Sequence, residues 1–231
     1  MLMPNRIDAP ELLDQGVGTA EDVHQNFDDL WRLNRYLGGI SVITRHLAPR
    51  VPNRCGMMTL VDVGAGSAQL STAILKWAVQ RRSCPLRVIA LEIAARNLQV
   101  AQQHVVPGVR LIQADALCLP FAPNSVDFVI SSLFLHHLTP TQIIDFLQQA
   151  YECTRHSLIM ADLTRGWLPL AAFKLSQPVF ARSYLTRYDG AVSIRRAYTP
   201  AEMRKFARCA GLKNFQVYSH SFWRMALVVD K

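Results

Sequence analysis

The chain of 231 residues lacks several patterns that would place it in common protein classes. Its cysteines are few and far apart: Cys55, Cys84, Cys118, Cys153 and Cys209. Because no C-x-x-C pair occurs, we expect neither a disulfide framework nor a metal site. No run of eighteen apolar residues is present, which argues against a transmembrane helix. The first residues also lack the basic start and apolar run of a signal peptide, so a cytoplasmic protein is expected.

Long basic runs are missing as well, although the net charge is +8. The charge is unevenly divided, since residues 1–30 carry −6 and residues 31–231 carry +14. A basic body can attract nucleic acid or an acidic membrane surface. Here no stretch of Lys and Arg exceeds two residues, and no nucleic-acid-binding module is recognisable. We therefore expect a solvated basic surface, partly neutralised by the acidic arm, and no nucleic-acid partner.

The most informative segment that is present is LVDVGAGSA, residues 60–68. Residues 61–63 have the composition of a buried strand, and Gly64-Ala65-Gly66 permits a tight turn. Ser67 can then cap a following helix. A strand, turn and helix of this kind form a pocket for a polar small molecule.

The same segment does not fit a dinucleotide. The pattern G-x-G-x-x-G/A would need a third small residue where Gln69 stands. The carboxylate of Asp62, just before the turn, would also repel a pyrophosphate and attract a cation. A ligand that carries an ammonium or sulfonium group is therefore favoured over NAD, and an NAD-linked reductase is a weaker alternative.

Polar residues also follow the next three predicted strands. The strand 86–92 ends in Glu92, one βαβ unit after Asp62, and a carboxylate there can accept both hydroxyls of a ribose. The strand 109–114 is followed by Asp115, and the strand 125–132 ends in serines. Four such strand ends in register predict one ligand site along the carboxyl edge of a parallel sheet.

Three segments, VDVGAGSAQL, ALEIAARNL and QADALCLPFAPNSVDFVISSLFLHHL, resemble the successive motifs of the class I S-adenosylmethionine-dependent methyltransferases, closely over residues 55–162. The resemblance implies S-adenosylmethionine as the cofactor and a Rossmann-like fold. It implies that the amino-acid end of the cofactor is held by Asp62, Gly64, Ala65 and Gly66. It further implies that Glu92 binds the ribose, that Ile93, Asp115 and Ala116 contact the adenine, and that the Ser131 carbonyl accepts from the ammonium group. One departure is Ala68, where many members have a third glycine.

The periodicity of the chain agrees with an α/β fold. Apolar residues near a 3.6 spacing predict helices at 20–37, 40–47, 68–80, 94–104 and 141–152, which alternate with strands from 60 to 161. We predict a doubly wound, seven-stranded, mostly parallel sheet whose last two strands, near 215–219 and 223–229, form a hairpin with an antiparallel edge. Residues 1–52 would be an acidic arm and helical cap, and residues 53–231 the methyltransferase domain.

Residues 163–198 are too long for a plain connection and are predicted to form a lid over the strand ends. The segment mixes aromatic residues with lysine and arginine: Trp167, Phe173, Phe180, Tyr184, Tyr188, Tyr198, Lys174, Arg182, Arg187, Arg195 and Arg196. Such a lid suits a flat or lipidic acceptor. Two other interpretations stay open, a dimer contact and a transient membrane or lipid contact, so the chain could be a monomer or a homodimer.

His136 and His137 follow the fourth strand and are the candidate catalytic residues. A base is needed only when the acceptor is a hydroxyl or an acidic carbon, and an imidazole suits that task. An N-P-P-Y-type tetrapeptide, typical of amino methylation, is absent from residues 131–134. We therefore expect O-methylation of a small hydrophobic metabolite, a phenol, enol or carboxylate of the polyketide kind found in secondary metabolism. C-methylation of a quinone or lipid precursor and a non-catalytic, cofactor-binding partner subunit are the alternatives.

Overall fold

A computed structural model describes residues 3–52, 56–81 and 85–231. Its centre is a seven-stranded sheet in the order β3-β2-β1-β4-β5-β7-β6. The strands are β1 (Met58–Val63), β2 (Leu86–Glu92), β3 (Val109–Gln113), β4 (Val126–Ser132), β5 (Thr154–Leu163), β6 (Phe215–His220) and β7 (Arg224–Asp230). The pairs among β1 to β5 are all parallel. The predicted doubly wound, mostly parallel sheet is therefore confirmed.

Eight α-helices are found in the described residues and surround this sheet. They are α1 (Ala20–Tyr36), α2 (Gly39–Leu47), α3 (Gln69–Gln80), α4 (Ala95–Ala101), α5 (Pro140–Cys153), α6 (Trp167–Phe180), α7 (Tyr184–Arg196) and α8 (Pro200–Cys209). Three of them begin with a capping box, in which Thr19, Thr139 or Thr199 exchanges hydrogen bonds with the third helical residue. These local signals explain why the predicted helix starts lie close to the observed ones.

Alternation along the strands divides the core into two apolar layers. In β1, Val61 and Val63 face α5 and α8, whereas Met58 and Leu60 face α2 and α3. Successive side chains of a strand point to opposite faces, so each buried strand supplies both layers. These helices cover the two faces of the sheet. Other elements therefore cover the carboxyl ends of its strands.

The hairpin at the C-terminus completes one edge of the sheet with antiparallel pairs, as predicted. Strand β7 is antiparallel to both β5 and β6 and lies between them, so β6 is the edge strand. Strand β7, which runs antiparallel to both of its neighbours, is therefore an inner strand. The reason is burial, since β7 is apolar almost throughout and buried from Arg224 to Val229, whereas the side chains of β6 are only partly covered.

The lid segment is structured, as expected for so long a connection, and it consists of α6 and α7. A second covering element is the N-terminal segment of residues 3–18, called the strap below, which has no regular secondary structure beyond turns. None of the helices in the described ranges is long and apolar enough to cross a membrane. Cys55 and Cys84 lie outside the described residues, and Cys118, Cys153 and Cys209 are free thiols.

Candidate active site

A cavity of about 820 Å³ lies over the carboxyl ends of β1, β2 and β4. Its floor is the glycine turn after β1, and its walls come from α1, the strap, the lid helices and the tip of the β6–β7 hairpin. Ligand sites of open α/β sheets occur at this edge, where the strand order changes direction. In this sheet the change lies between β1 and β4, directly below the cavity.

The glycine turn has a conformation that other residues would not adopt without strain. Gly64 and Gly66 have φ angles of 69° and 53°, in the left-handed region. A Cβ atom on Gly64 would lie 2.5 Å from the Phe134 ring, and one on Gly66 would lie 2.8 Å from Phe27. Both glycines are therefore required by close packing as well as by φ. Ala68 is also left-handed, with φ 53°, a conformation that glycine adopts more readily than alanine.

Asp62 lies at the end of β1 in the cavity wall and is buried. One of its carboxylate oxygens accepts a hydrogen bond of 2.6 Å from Ser71 of α3. Burial, with a smaller contribution from the Glu92 charge, raises the pKa of Asp62 to about 7, and the Ser71 hydrogen bond acts in the opposite direction. A cationic group placed here would favour the charged carboxylate, which is the environment predicted for the amino-acid end of the cofactor.

Glu92 lies at the end of β2 and is also buried in the cavity wall. Its Oε2 accepts from the Gly66 N–H at 3.0 Å, and its Oε1 accepts from the Ala94 N–H at 3.0 Å and from Asn97 at 3.3 Å. A carboxylate has about four acceptor positions, so one remains beside the three that are used. The contacts fix the orientation of the carboxylate at the cavity. A ribose hydroxyl can donate to its remaining acceptor position.

The other predicted cofactor residues have different surroundings. Ile93 is 60% exposed at the cavity rim, next to the exposed Asp115 and the buried Ala116. Ser131 is buried, and its hydroxyl donates to the Met160 sulfur rather than lining the cavity. The neighbouring Ser132 is the serine of this strand that lines the cavity. The contribution of the Ser131 carbonyl stays a prediction.

The strap closes one side of the cavity and is held by hydrogen bonds to α7 and its ends. Arg6 donates to the Arg196 carbonyl at 2.8 Å and lies over the ring of Tyr198, 4.4 Å from its centre. Backbone N–H groups of the strap at positions 12 and 13 donate to the Asp189 carboxylate at 2.7 and 3.2 Å. These contacts carry the acidic arm into the site, where its carboxylates meet the two histidines.

His136 and His137 form a short 3₁₀ turn after β4, together with Leu135. The Nδ1 atom of His136 lies 2.8 Å from Asp162 of β5, and the Nδ1 atom of His137 lies 2.9 Å from Asp14 of the strap. The other ring nitrogens point toward Glu11, with Nε2–O distances of 3.4 Å for His136 and 3.8 Å for His137. Each histidine is therefore held between two carboxylates.

Burial lowers the pKa of His136, but the Asp162 charge and hydrogen bonds with Asp162 and Glu11 outweigh it and raise this pKa to about 10. Burial raises the pKa of Glu11, yet the hydrogen bond from His136 and the His137 charge lower it to about 2. His136 therefore carries a proton at neutral pH in this arrangement. A base must be unprotonated to accept a proton, so the contacts of His136 with Asp162 and Glu11 do not support its role as a base. That role stays a prediction.

Arg224, the first residue of β7, supplies a buried cation in the cavity wall. Its guanidinium donates to the Leu37 carbonyl at 2.7 Å and to Asn34 at 3.1 Å, and Nη1 has no hydrogen-bond partner among the described residues. Burial lowers the pKa of Arg224 to about 10, against the effect of the Asp162 charge. The buried guanidinium of Arg224 therefore adds a positive charge to the cavity wall.

With this geometry established, the chain can be compared with known proteins. Residues 60–157 match the family described as a methyltransferase domain. This segment is therefore similar to a methyltransferase domain. A curated relative, the biotin biosynthesis bifunctional protein BioHC of Cellvibrio japonicus, is 28% identical over 193 residues. The aligned part covers 78% of this chain and 33% of that protein, so the chain spans about a third of its length.

Solved structures support the same fold. A S-adenosylmethionine-dependent methyltransferase from Aquifex aeolicus superposes with a TM-score of 0.64 at 15% identity, covering 93% of this chain and 99% of that one. Human N-acetylserotonin methyltransferase, in complex with S-adenosylmethionine, gives 0.63 at 15% identity, covering 98% and 63%. At such identities the similarity shows the fold alone. It confirms the predicted fold, and the match of residues 60–157 supports the resemblance to methyltransferases.

The residues of the methyltransferase domain fit the cofactor of its class. The turn leaves no room for a Cβ atom at Gly64 or Gly66, so its backbone can approach a ligand closely. Asp62 supplies a buried carboxylate for a cationic group, and Glu92 keeps an acceptor position for hydroxyls. The donors and acceptors therefore match an aminoacyl sulfonium joined to a ribose.

Several residues around the histidines are not predicted from the sequence. Asp162 follows the same rule as Asp62 and Glu92, a carboxylate near a strand end, but the predicted strand stops at residue 161. Glu11 and Asp14 are more than 120 positions from the histidines, and no local pattern relates them. The buried Arg224 lies in a run that indicates only a strand. Long-range packing brings these side chains into the methyltransferase site.

Proposed function

We propose that this chain transfers the methyl group of S-adenosylmethionine to an oxygen atom of a small hydrophobic metabolite. The acceptor would carry a phenol, enol or carboxylate, as in polyketide-like compounds. One observation carries the proposal: a single cavity joins the cofactor residues, Asp62 and Glu92, to the histidine cluster and the lid. A donor and an acceptor bound in one closed space can meet at the distance that an in-line transfer needs.

The acceptor end of the cavity is mainly apolar, with a few polar groups. Its walls include Leu30, Trp31, Phe173, Ile194 and Phe222. The polar groups at this end include His136, His137 and Glu11, so a flat apolar body with a single polar end is favoured. The apolar walls support a hydrophobic acceptor, and the polar end supports methylation at oxygen.

When bound, S-adenosylmethionine supplies an electrophilic methyl group and a neutral leaving group. The chain has to bind, align and exclude water. The strap and the lid helices cover the reacting region, while Asp62 and Glu92 hold the cofactor end. His137, whose side chain is 25% exposed, is the histidine more accessible to an acceptor hydroxyl. His136, nearly fully buried and paired with Asp162, supports the position of that turn.

We also infer that α6 touches lipid while the acceptor enters. The exposed side of α6 is apolar, with Leu168, Leu175 and Val179 at 59, 83 and 67% exposure. Residues 167–188 contain three basic and no acidic side chains, Lys174, Arg182 and Arg187. An apolar helix face with flanking cations suits an anionic bilayer surface. A lipid-dissolved acceptor would then reach the cavity through the lid.

The test is methyl transfer from isotopically labelled S-adenosylmethionine to a panel of phenols, enols, carboxylates and quinone precursors, followed by mass spectrometry. We expect label on oxygen, shown by fragmentation, in an aromatic or enolic acceptor. Label on carbon would replace O-methylation by C-methylation. Tight binding of the cofactor by calorimetry with no labelled product over the panel would instead favour a cofactor-binding partner subunit. No binding of S-adenosylmethionine would overturn the proposal.

A further inference from the structure

We propose that Glu11, His136 and His137 form a binding site for a first-row divalent metal ion, with zinc as the expected occupant. Within the described residues this is the one group of three histidine, cysteine or acidic side chains whose ligand atoms all lie within 4.8 Å of one another. Two imidazoles and a carboxylate are a donor set that zinc, cobalt and ferrous iron accept. The three residues come from the strap and the turn after β4.

The spacing of the ligand atoms is close to that of a bound site. The Nε2 atoms lie 3.4 and 3.8 Å from the two Glu11 oxygens. Ligand atoms held at about 2.0–2.2 Å around a tetrahedral zinc lie about 3.3 Å apart. The longer of these two sides would have to contract by about 0.5 Å, and since all the ligand atoms already lie within 4.8 Å of one another, shifts of the side chains can bring them around an ion.

The far side of each imidazole supports the same assignment. Both Nδ1 atoms are held by carboxylates, Asp162 for His136 and Asp14 for His137. A hydrogen bond from Nδ1–H to a carboxylate fixes the ring and leaves Nε2 as the free ligand atom, which is how metal-binding histidines are oriented in proteins. Two neighbouring histidines with this arrangement, and both Nε2 atoms aimed at one glutamate, point to an ion between them.

The surrounding charge also favours a cation. Three carboxylates face the cluster, those of Glu11, Asp14 and Asp162. The cationic side chains beside it are Arg196, 3.5 Å from Asp14, and Arg6, which donates to the His136 carbonyl at 3.4 Å. Ser193 of α7 adds a neutral hydroxyl, 2.7 Å from Glu11. A ligand imidazole must be neutral, so a divalent ion would displace the proton that His136 carries in the ligand-free arrangement and would take over its place beside these carboxylates.

Three protein ligands leave a coordination position open, and the cluster lies in the cavity wall. If the proposed function holds, an acceptor carboxylate, or an acceptor hydroxyl that has released its proton to solvent, would occupy this position as an anion beside the cofactor end. This step rests on the proposed function. The binding of the ion does not.

The experiment uses the full chain, stripped with a chelator and titrated with Co²⁺ and then Zn²⁺ in the absence of S-adenosylmethionine. We expect one equivalent of Co²⁺ with visible absorption bands of a low-symmetry nitrogen and oxygen site, and displacement of these bands by Zn²⁺. His137→Ala and Glu11→Gln should weaken binding by at least about tenfold. His156→Ala should not, because His156 is half exposed beside Asp127, away from the cavity.

His136 is nearly fully buried, so its removal risks unfolding; the partly exposed His137 and the isosteric Glu11→Gln change therefore carry the test, each checked by circular dichroism. Co²⁺ binding that is absent, or equally strong in His137→Ala and Glu11→Gln, overturns the inference. The two proposals fail separately. If the chelated protein transfers methyl groups but binds no metal, the metal site is wrong and the proposed function stands. If the protein binds metal but not S-adenosylmethionine, the proposed function is wrong and the metal site stands.

Discussion

At the scale of single residues, the glycine turn gives the most direct prediction. Gly66→Ala would place a Cβ atom 2.8 Å from the Phe27 ring at a φ of 53°. Left-handed backbone costs about 1–2 kcal/mol for a residue with a Cβ atom, so the free energy of unfolding should fall by at least that amount. The affinity for S-adenosylmethionine should fall too, because either the turn or Phe27 must move. Chemical denaturation and calorimetry measure the two effects.

Gly211 provides the matched control for this substitution. It has φ 70° at the end of α8, but no atom lies within 4 Å of an added Cβ. Gly211→Ala should therefore lose stability through backbone strain and keep its affinity for S-adenosylmethionine. Equal affinities of wild type and Gly66→Ala would show that the turn does not contact the ligand.

A second residue prediction concerns the pH dependence of cofactor binding. The folded-state pKa of Asp62 is about 7, above its usual 3.8, mainly because of burial, with Glu92 of β2 adding to the shift and Ser71 of α3 opposing it. The ligand-free fold thus loses stability as pH rises from 3.8 to about 7, because the carboxyl group ionises in the unfolded chain while it stays protonated in the fold. A cationic ligand offsets the free-energy cost of ionising the buried carboxyl group. Between pH 6 and pH 8 the ionised fraction rises about tenfold, so the affinity should rise by up to about tenfold.

Isothermal titrations of S-adenosylmethionine at several pH values measure that slope. Asp62→Asn should bind the cofactor more weakly and remove the part of the slope due to this carboxylate. If the variant and the wild type showed the same slope, the dependence would belong to another group, and Asp62 would not face the cationic part of the ligand.

Much of this site follows from local rules that a sequence carries. Asp62, Glu92 and the glycines are found because strand ends in a parallel sheet share one edge, and a left-handed turn requires a particular residue. Asp162 obeys the same rule and is missed only through a strand boundary one residue short. Glu11 and Asp14 are different, since the contact between strap and histidines is set by tertiary packing and has no local pattern.

At the scale of elements, the two sides of the lid differ in their surroundings. Its inner side is fixed by burial, as Leu170 and Leu185 are almost fully covered. Its outer side on α6 has no partner among the described residues, and Leu175 is 83% exposed. The sequence predicts that residues 163–198 form a lid, but its mixture of aromatic and basic residues cannot tell which side faces the cavity. That distinction depends on how α6 packs against α7.

Leu175→Glu tests whether this outer face contacts lipid. The change should reduce sedimentation with vesicles of phosphatidylserine and phosphatidylcholine, because it removes apolar area and adds a negative charge beside the anionic surface. Stability should change by less than about 0.5 kcal/mol, as for other exposed positions. Val79→Glu on α3, at a 70% exposed position, is the control that adds the same charge elsewhere. Loss of vesicle binding in both variants, or in neither, would contradict a specific role for α6.

At the scale of the whole molecule, the site is closed by parts that are distant in the chain. The strap, the turn after β4 and α7 meet through Arg6, Glu11 and Asp14, so the opening of the cavity depends on contacts between residues 3–18 and the rest of the fold. The parallel sheet and its strand order could be predicted, because alternating strands and helices permit few topologies. The closing contacts could not, since they join residues that only the finished fold brings together.

A ligand that binds between these parts should stabilise the whole fold. S-adenosylmethionine at about one hundred times its dissociation constant should add about 2.7 kcal/mol to the free energy of unfolding. For a chain of this length, about 2–4 °C of melting temperature corresponds to each kcal/mol, so the melting temperature should rise by about 5–11 °C. NAD at the same concentration should give no shift, because Asp62 repels a pyrophosphate and Gln69 fills the third glycine position. Differential scanning calorimetry measures both ligands, and a shift with NAD alone would replace the methyltransferase site by a nicotinamide site.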